Sequence, residues 1–177
     1  MSRIPLVPVE RQSAAIREFM DRRGELNVFR LLANAPTVFV GWSQMVDEIL
    51  DSSTFTPRIR ELVILRVAYL QCARYELGQH RDLARAAGLT PIQISAVSGF
   101  GSVDEAGFSN AEIAVLLTVT ELCTTRRLSA NTYAAAHEVL RDEALTEMLM
   151  IVSCYYGLAL VLNAADLELD HTARIQV

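Results

Sequence analysis

Apolar side chains recur at three- and four-residue spacing along most of this 177-residue chain, which is the pattern of helices with one buried face. A first helix is predicted from about Ser13 until Gly24. Asn27 is expected to cap a second, short helix, and Pro36 to start a third that carries a wide apolar stripe. No alternating pattern of useful length indicates a β-strand. We therefore predict an all-α fold with about seven or eight helices.

Capping residues mark the helix starts in the rest of the chain. The strongest of these signals are Thr56 before Pro57, Thr90 before Pro91, and Ser109 with Glu112 in a capping box. A glycine-rich loop is predicted over residues 98–108, and further helices over residues 109–126, 129–140 and 143–166.

The composition narrows the class of protein. With 51% hydrophobic residues and a mean hydropathy of +0.25, the chain is apolar for a small protein, which predicts burial of surface between subunits. A net charge of −5 argues against a nucleic-acid partner. The length fits a single domain over residues 1–177, with an extended arm over residues 1–12 that contains Pro5 and Pro8.

The same sequence predicts a cytoplasmic, reduced protein without a membrane partner. The N-terminal residues lack the apolar core of a signal peptide. The longest apolar stretch, over residues 148–165, includes polar and aromatic residues and is predicted to be a buried helix rather than a membrane span. Cys72, Cys123 and Cys154 are too few and too scattered for a disulfide framework, and the last two are expected to be inert core thiols.

A polar cluster follows the most apolar segment of the chain, residues 62–70. If residues 58–87 formed one straight helix, Glu61 and His80 would lie roughly 28 Å apart at ~1.5 Å per residue. We predict a break near residues 71–74 instead, so that a second helix folds back beside the first. Glu76 then lies in the first turn of that helix, where the helix dipole favours a carboxylate.

Four side chains in this region are candidates for proton transfer. Glu76 and His80 are neighbours at i, i+4, so His80 is predicted as the general acid or base and Glu76 as the carboxylate that orients it. Glu61 and Tyr75 are candidates for further proton-transfer or hydrogen-bonding groups. The alternative is structural: Glu76–His80 as an ordinary helical ion pair and Glu61–Arg66 as a buried one.

Arginines near the same segment are candidates for holding an anionic substrate. Arg66 and Arg74 are the predicted substrate-binding residues, and Arg81 is a third candidate counter-ion. No metal site is predicted: Glu168, Asp170 and His171 cluster near the C-terminus without a fourth ligand, and His137 is expected to be a surface or core residue.

Two sequence segments resemble a known family. RELVILRVA over residues 60–68, followed by YELGQH over residues 75–80, resembles the signature of the carboxymuconolactone decarboxylase and alkylhydroperoxidase D-like superfamily. Similar segments elsewhere extend the resemblance over a core of residues 27–169. The resemblance implies an all-helical fold assembled into homo-oligomers, from dimers and trimers to hexamers, and a site where Glu61 approaches His80.

The peroxidase branch of that family carries Cys-x-x-Cys-x-x-x-His, and this chain departs from it. The two thiol positions fall on Ala73 and Glu76, so both thiols are absent. Cys72 is one residue short of the first position, a rotation of roughly 100° on a helix.

The resemblance and its departure leave three hypotheses. The first is a cofactor-free, non-redox enzyme of the decarboxylase branch that acts on a small carboxylated lactone or related metabolite, with His80, Glu76, Glu61 and Tyr75 as catalytic residues. The second is a peroxidase that uses Cys72 alone. The third is a catalytically silent oligomeric protein that binds a small ligand.

Overall fold

The computed structural model describes residues 2–99, 101, 103 and 105–170 and contains eight α-helices and no strand within those ranges. The helices are α1 (Ala14–Arg23), α2 (Asn27–Leu32), α3 (Pro36–Asp51), α4 (Pro57–Leu70), α5 (Arg74–Ala86), α6 (Pro91–Val97), α7 (Asn110–Thr125) and α8 (Ala130–Ala165). The all-α prediction is confirmed. A short 3-10 turn (Val9–Arg11) lies within the otherwise non-helical N-terminal arm.

The described chain divides into two compact units, one made of the residues up to Ser52 and those from Leu162 onward, the other of Ser53–Val161. In the first unit an aromatic cluster joins α1, α2 and α3. The rings of Phe19 and Phe29 meet edge to face with centroids 4.9 Å apart, and Phe39 and Trp42 pack around them.

The start of α2 differs from its prediction. Asn27 is the first helical residue rather than the cap, and Leu26 precedes it without a capping side chain. Instead, the carboxylate of Asp170 accepts a hydrogen bond from the Asn27 backbone N–H at 2.8 Å. A cap that comes from 143 positions away cannot be found by local pattern.

The second unit is built around α4. Six residues in the middle of this helix are completely buried: Leu62, Val63, Ile64, Leu65, Val67 and Ala68. Leu62 and Leu65 pack in one cluster with apolar residues of α5, α6 and α7. The predicted caps hold: Thr56 and Pro57 begin α4, and capping boxes begin α6 and α7. Helix α4 is therefore the central helix of this unit.

A tight corner separates α4 from α5, as the break near residues 71–74 predicted. Cys72 adopts the left-handed conformation (φ 53°), and the next N–H, of Ala73, bonds the Ala68 carbonyl at 2.8 Å. The Cys72 N–H bonds the Tyr69 carbonyl at 3.0 Å. These two bonds form a Schellman motif with cysteine in the position usually taken by glycine. Because α4 ends there, α5 folds back beside it.

Helix α8 contains both of the last two predicted helices. They meet at Arg141, whose backbone (φ 61°, ψ −178°) is not helical. Beyond that point a buried stripe with three- and four-residue spacing runs through Leu145, Met148, Val152, Tyr155 and Ala159, and Ile151 and Cys154 beside it are also buried. By length and composition alone, α8 is the one helix in the described ranges that could span a membrane, and 44% of its most apolar window is buried.

Candidate active site

The centre of the site is a buried pair formed by Glu61 on α4 and His80 on α5. The Nδ1 atom of His80 lies 2.8 Å from Oε2 of Glu61. The two residues are 3% and 4% exposed, so the pair is shielded from water. The corner at Cys72 makes this contact possible, because it folds α5 back beside α4 and so brings together two residues that are 19 positions apart in the sequence. The carboxylate fixes the ring orientation and the tautomer of the histidine.

Glu76 lies in the first turn of α5 and is 2% exposed. Both of its carboxyl oxygens are buried without a hydrogen-bond partner among the described residues. Burial raises the pKa of Glu76 to about 8, because the interior disfavours the charged form. The side chain is therefore mainly a neutral carboxylic acid at pH 7, able to donate a hydrogen bond.

This geometry corrects the predicted roles of the two glutamates. Glu76 was expected to orient His80 through helical i, i+4 spacing, yet the imidazole is hydrogen-bonded to Glu61 instead. The alternative Glu61–Arg66 ion pair is wrong for the same reason. His80 thus contacts Glu61, and both carboxyl oxygens of Glu76 lack a hydrogen-bond partner among the described residues.

Tyr155 of α8 is a further member of the cluster that the sequence did not single out. Its ring meets His80 edge to face with centroids 5.3 Å apart, and the residue is buried. Burial, with a smaller contribution from Glu61, raises the pKa of Tyr155 well above its ordinary value, so the phenol stays neutral. The three- and four-residue spacing of Leu145, Met148 and Val152, continued by one step, predicts a buried side chain at position 155.

The predicted substrate-binding residue Arg66 has other contacts. Its Nε donates to Oγ1 of Thr120 at 2.9 Å, and its Nη1 donates to the Val97 carbonyl at 3.3 Å. The guanidinium also lies over the Tyr69 ring, 5.5 Å from its centroid. Burial lowers the pKa of Arg66. These contacts hold Arg66 against α6 and α7, so it does not join the Glu61–His80 pair.

Two other predicted residues lie at the N-terminus of α5. Arg74, the first residue of the helix, is exposed, whereas Glu61, Glu76 and His80 are buried. Tyr75 follows it and is buried. Its role as a proton carrier stays a prediction.

The thiols are placed as the sequence predicted. Cys72 is an exposed free thiol, while the next residue, Ala73, is completely buried. The thiol of Cys72 therefore faces solvent, although the neighbouring position faces the interior. Cys123 and Cys154 are buried, and burial raises the pKa of Cys123 to about 11, which makes it a poor nucleophile at neutral pH.

The weaker signals carry no further site. No group of three or more His, Cys, Asp or Glu side chains in the described part of the chain is arranged to hold a metal ion. His171 of the C-terminal cluster lies outside the described residues. His137 stacks on the Tyr133 ring and its Nε2 lies 2.8 Å from Oδ1 of Asp142 in a solvent-exposed pair.

Comparison with known proteins agrees with this description. Residues 36–121 match the carboxymuconolactone decarboxylase family, a range that includes the corner and the Glu61–His80 pair. No curated protein matches the sequence. The family match over residues 36–121 and the shared fold together support the resemblance to the carboxymuconolactone decarboxylase and alkylhydroperoxidase D-like superfamily.

Three solved structures illustrate the shared fold. The alkylhydroperoxidase D core of an uncharacterised peroxidase-related protein from Ralstonia eutropha JMP134 aligns with TM-score 0.84 at 20% identity, covering 96% of this chain and 93% of the other. A peroxidase-related protein from Silicibacter sp. TM1040 aligns with TM-score 0.80 at 11% identity, covering 96% and 92%. The debrominase Bmp8, as a cysteine-to-alanine variant in complex with 2,3,4-tribromopyrrole, aligns with TM-score 0.79 at 16% identity, covering 97% and 95%.

Proposed function

We propose that this protein is a non-redox enzyme of the decarboxylase type, acting by general acid/base chemistry on a small carboxylated lactone or a related metabolite. The observation that carries the proposal is the buried Glu61–His80 pair beside the unpartnered acid Glu76. Two carboxyl groups in one cluster, one holding an imidazole and the other neutral, are the arrangement that separates acid and base roles near pH 7.

The residues divide the reaction as follows. When a carboxylate leaves as CO2, the electrons of the broken C–C bond pass into a neighbouring carbonyl and form an enolate. The neutral carboxyl of Glu76 donates a hydrogen bond to the enolate oxygen, in a water-poor site where such a bond is strong. His80 then supplies the proton to the carbon, and Glu61 holds the imidazole in place.

Loss of His80 tests this mechanism. The His80→Ala variant is expected to lose about tenfold to a thousandfold of the turnover rate, because the proton-transfer group is gone. The measurement is release of CO2 from a panel of carboxylated lactones, with Asp142→Ala, which affects the exposed pair of His137, as the matched control. Full activity in the His80 variant would reject the assignment.

A thiol peroxidase is the second candidate, and the peroxidase-related proteins that share the fold are the observation in its favour. The exposed Cys72 and the two buried cysteines argue against it, since no second thiol is placed to resolve an oxidised Cys72.

Thiol titration and peroxide consumption together decide between the decarboxylase and the thiol peroxidase. In the native protein one thiol, Cys72, is expected to react rapidly with an aromatic disulfide reagent, and all three to react after denaturation. Peroxide consumption by Cys72→Ser is expected to equal that of the unsubstituted protein. A loss of peroxide consumption in this variant would favour the peroxidase.

Other expectations from the sequence stay predictions. A silent ligand-binding protein is the third candidate, and the near-complete burial of the cluster is compatible with it. Self-association and a cytoplasmic location rest on composition, and the exposed apolar residues Met150 and Leu160 on α8 favour self-association.

A further inference from the structure

We propose that Arg60 is the anion-binding residue of this cluster and that its ligand is a small organic carboxylate. The inference rests on the proposed function for the reaction, but not for the binding, which is measured separately. Arg60 directly precedes Glu61 on α4 and is 2% exposed. Arg60 was not predicted for this role from the sequence, which pointed to Arg66 and Arg74 instead.

The Nε–H of the Arg60 guanidinium is buried without an acceptor, and no ion pair found in the described part of the chain includes Arg60. Burying a guanidinium without an anion or acceptor is costly, so a buried arginine normally has a partner. An unpartnered buried cation is therefore the signature of a missing anion.

A second buried arginine shows what this protein does when the role is structural. Arg23 of α1 is also buried, and its guanidinium binds two carboxylates, Asp47 at 2.7 Å and Asp51 at 2.6 Å. Arg58, two residues before Arg60, is likewise paired, with Glu112 at 2.7 Å. Arg60 differs from both of them in having no such carboxylate.

Arg60 belongs to the same cluster as the proposed catalytic groups. The side chain interacts electrostatically with the Tyr155 phenol, whose ring contacts His80. Glu76, which also interacts with Tyr155, has two buried oxygens without partners. The Tyr155 phenol thus interacts electrostatically with both the Arg60 guanidinium and the Glu76 carboxyl. A carboxylate that also carries a carbonyl or ring oxygen satisfies both groups.

Small side chains lie close in sequence to the residues of the site on three of its elements. Ala68, Ala73 and Ala159 form a small buried cluster with Leu77. Ala68 lies two turns from Glu61 on α4, Ala159 lies one turn from Tyr155 on α8, and Ala73 immediately precedes α5. The test therefore uses compact carboxylates, none larger than one ring.

Thermal unfolding with a panel of small carboxylates tests the proposal. The probes are acetate, 2-furoate and benzoate, with furan-2-carboxamide as the neutral match for 2-furoate. We expect a saturable rise in Tm with 2-furoate and none with the amide, because the native state binds only the anion. In Arg60→Met the affinity for 2-furoate is expected to fall by about tenfold to a hundredfold.

The ligand-free variants separate binding from structure. Arg60→Met is expected to keep or raise the Tm, because it removes an unpaired buried charge. Arg23→Met is the matched control and is expected to lower the Tm, because it removes the ion pairs with Asp47 and Asp51, of which Asp47 keeps only its pair with Arg22. A fall in Tm in Arg60→Met equal to that in Arg23→Met would show a structural role and overturn the proposal.

Two further outcomes would also overturn it: no carboxylate of the panel raises the Tm, or 2-furoate binds Arg60→Met as tightly as the unsubstituted protein. The result for the reaction is independent. If His80→Ala keeps full turnover while Arg60→Met loses carboxylate binding, the proposed decarboxylase mechanism fails and the anion site stands.

Discussion

Replacing Glu76 by Gln is expected to remove about 4 kcal/mol of pH dependence from the free energy of unfolding between pH 5 and pH 9. The pKa of Glu76 is about 8 in the folded protein against an ordinary value of 4.5. The native state therefore holds a proton that the unfolded chain has released. The stability that this proton provides is complete below pH 4.5 and is lost as the pH rises to about 8. Gln has the shape of the neutral acid and does not ionise.

Urea unfolding at several pH values, followed by circular dichroism, measures this effect. Glu48→Gln, at an exposed position on α3, is the matched control and should leave the curve almost unchanged. If Glu76→Gln and the unsubstituted protein lose stability in parallel from pH 5 to pH 9, the neutral state assigned to Glu76 is wrong.

Removing Glu61 is expected to destabilise the protein by about 3 kcal/mol, because it leaves His80 buried without its hydrogen-bond partner. The measurement is the free energy of unfolding of Glu61→Ala at pH 7. The protein provides its own control in the exposed pair of His137 and Asp142, which has the same 2.8 Å separation. Asp142→Ala is expected to cost less than about 1 kcal/mol, since exposed pairs are worth little.

The double variant Glu61→Ala/His80→Ala completes a thermodynamic cycle. A coupling of about 1–3 kcal/mol is expected between two buried groups in direct contact. Additive effects of the two substitutions would show that the pair contributes no mutual stabilisation, and would remove the basis for an orienting role of Glu61.

The helices and the corner were predictable because their signals are local. A helix start is marked within four residues or fewer by Thr56 with Pro57 and by Ser109 with Glu112. The break near Cys72 was inferred from chemistry rather than propensity, since only a break lets Glu61 meet His80. The structure confirms it through the Schellman bonds of Cys72 and Ala73.

The partners within the site were not predictable, because they depend on contacts between helices. Spacing along one helix placed Glu76 beside His80, but the contact between α4 and α5 gave the imidazole to Glu61. The choice among arginines failed for a similar reason. Sequence position alone gives no sign that Arg66 hydrogen-bonds to Thr120 and Val97 while the buried Nε of Arg60 has no acceptor.

The corner at Cys72 also has a consequence for how such a protein can change its chemistry in evolution. The corner brings Glu61 and His80 together from two helices. Neither Ala73 nor Glu76 hydrogen-bonds His80, so the contact between Glu61 and His80 does not depend on those two side chains. Those two positions are buried next to the pair and correspond to the thiols of the peroxidase branch. Two substitutions separate a dithiol from a neutral carboxyl there, while Glu61 and His80 remain in place. Under the proposed function, substitutions at these two positions alone separate the acid/base chemistry of this protein from the thiol chemistry of the branch it resembles.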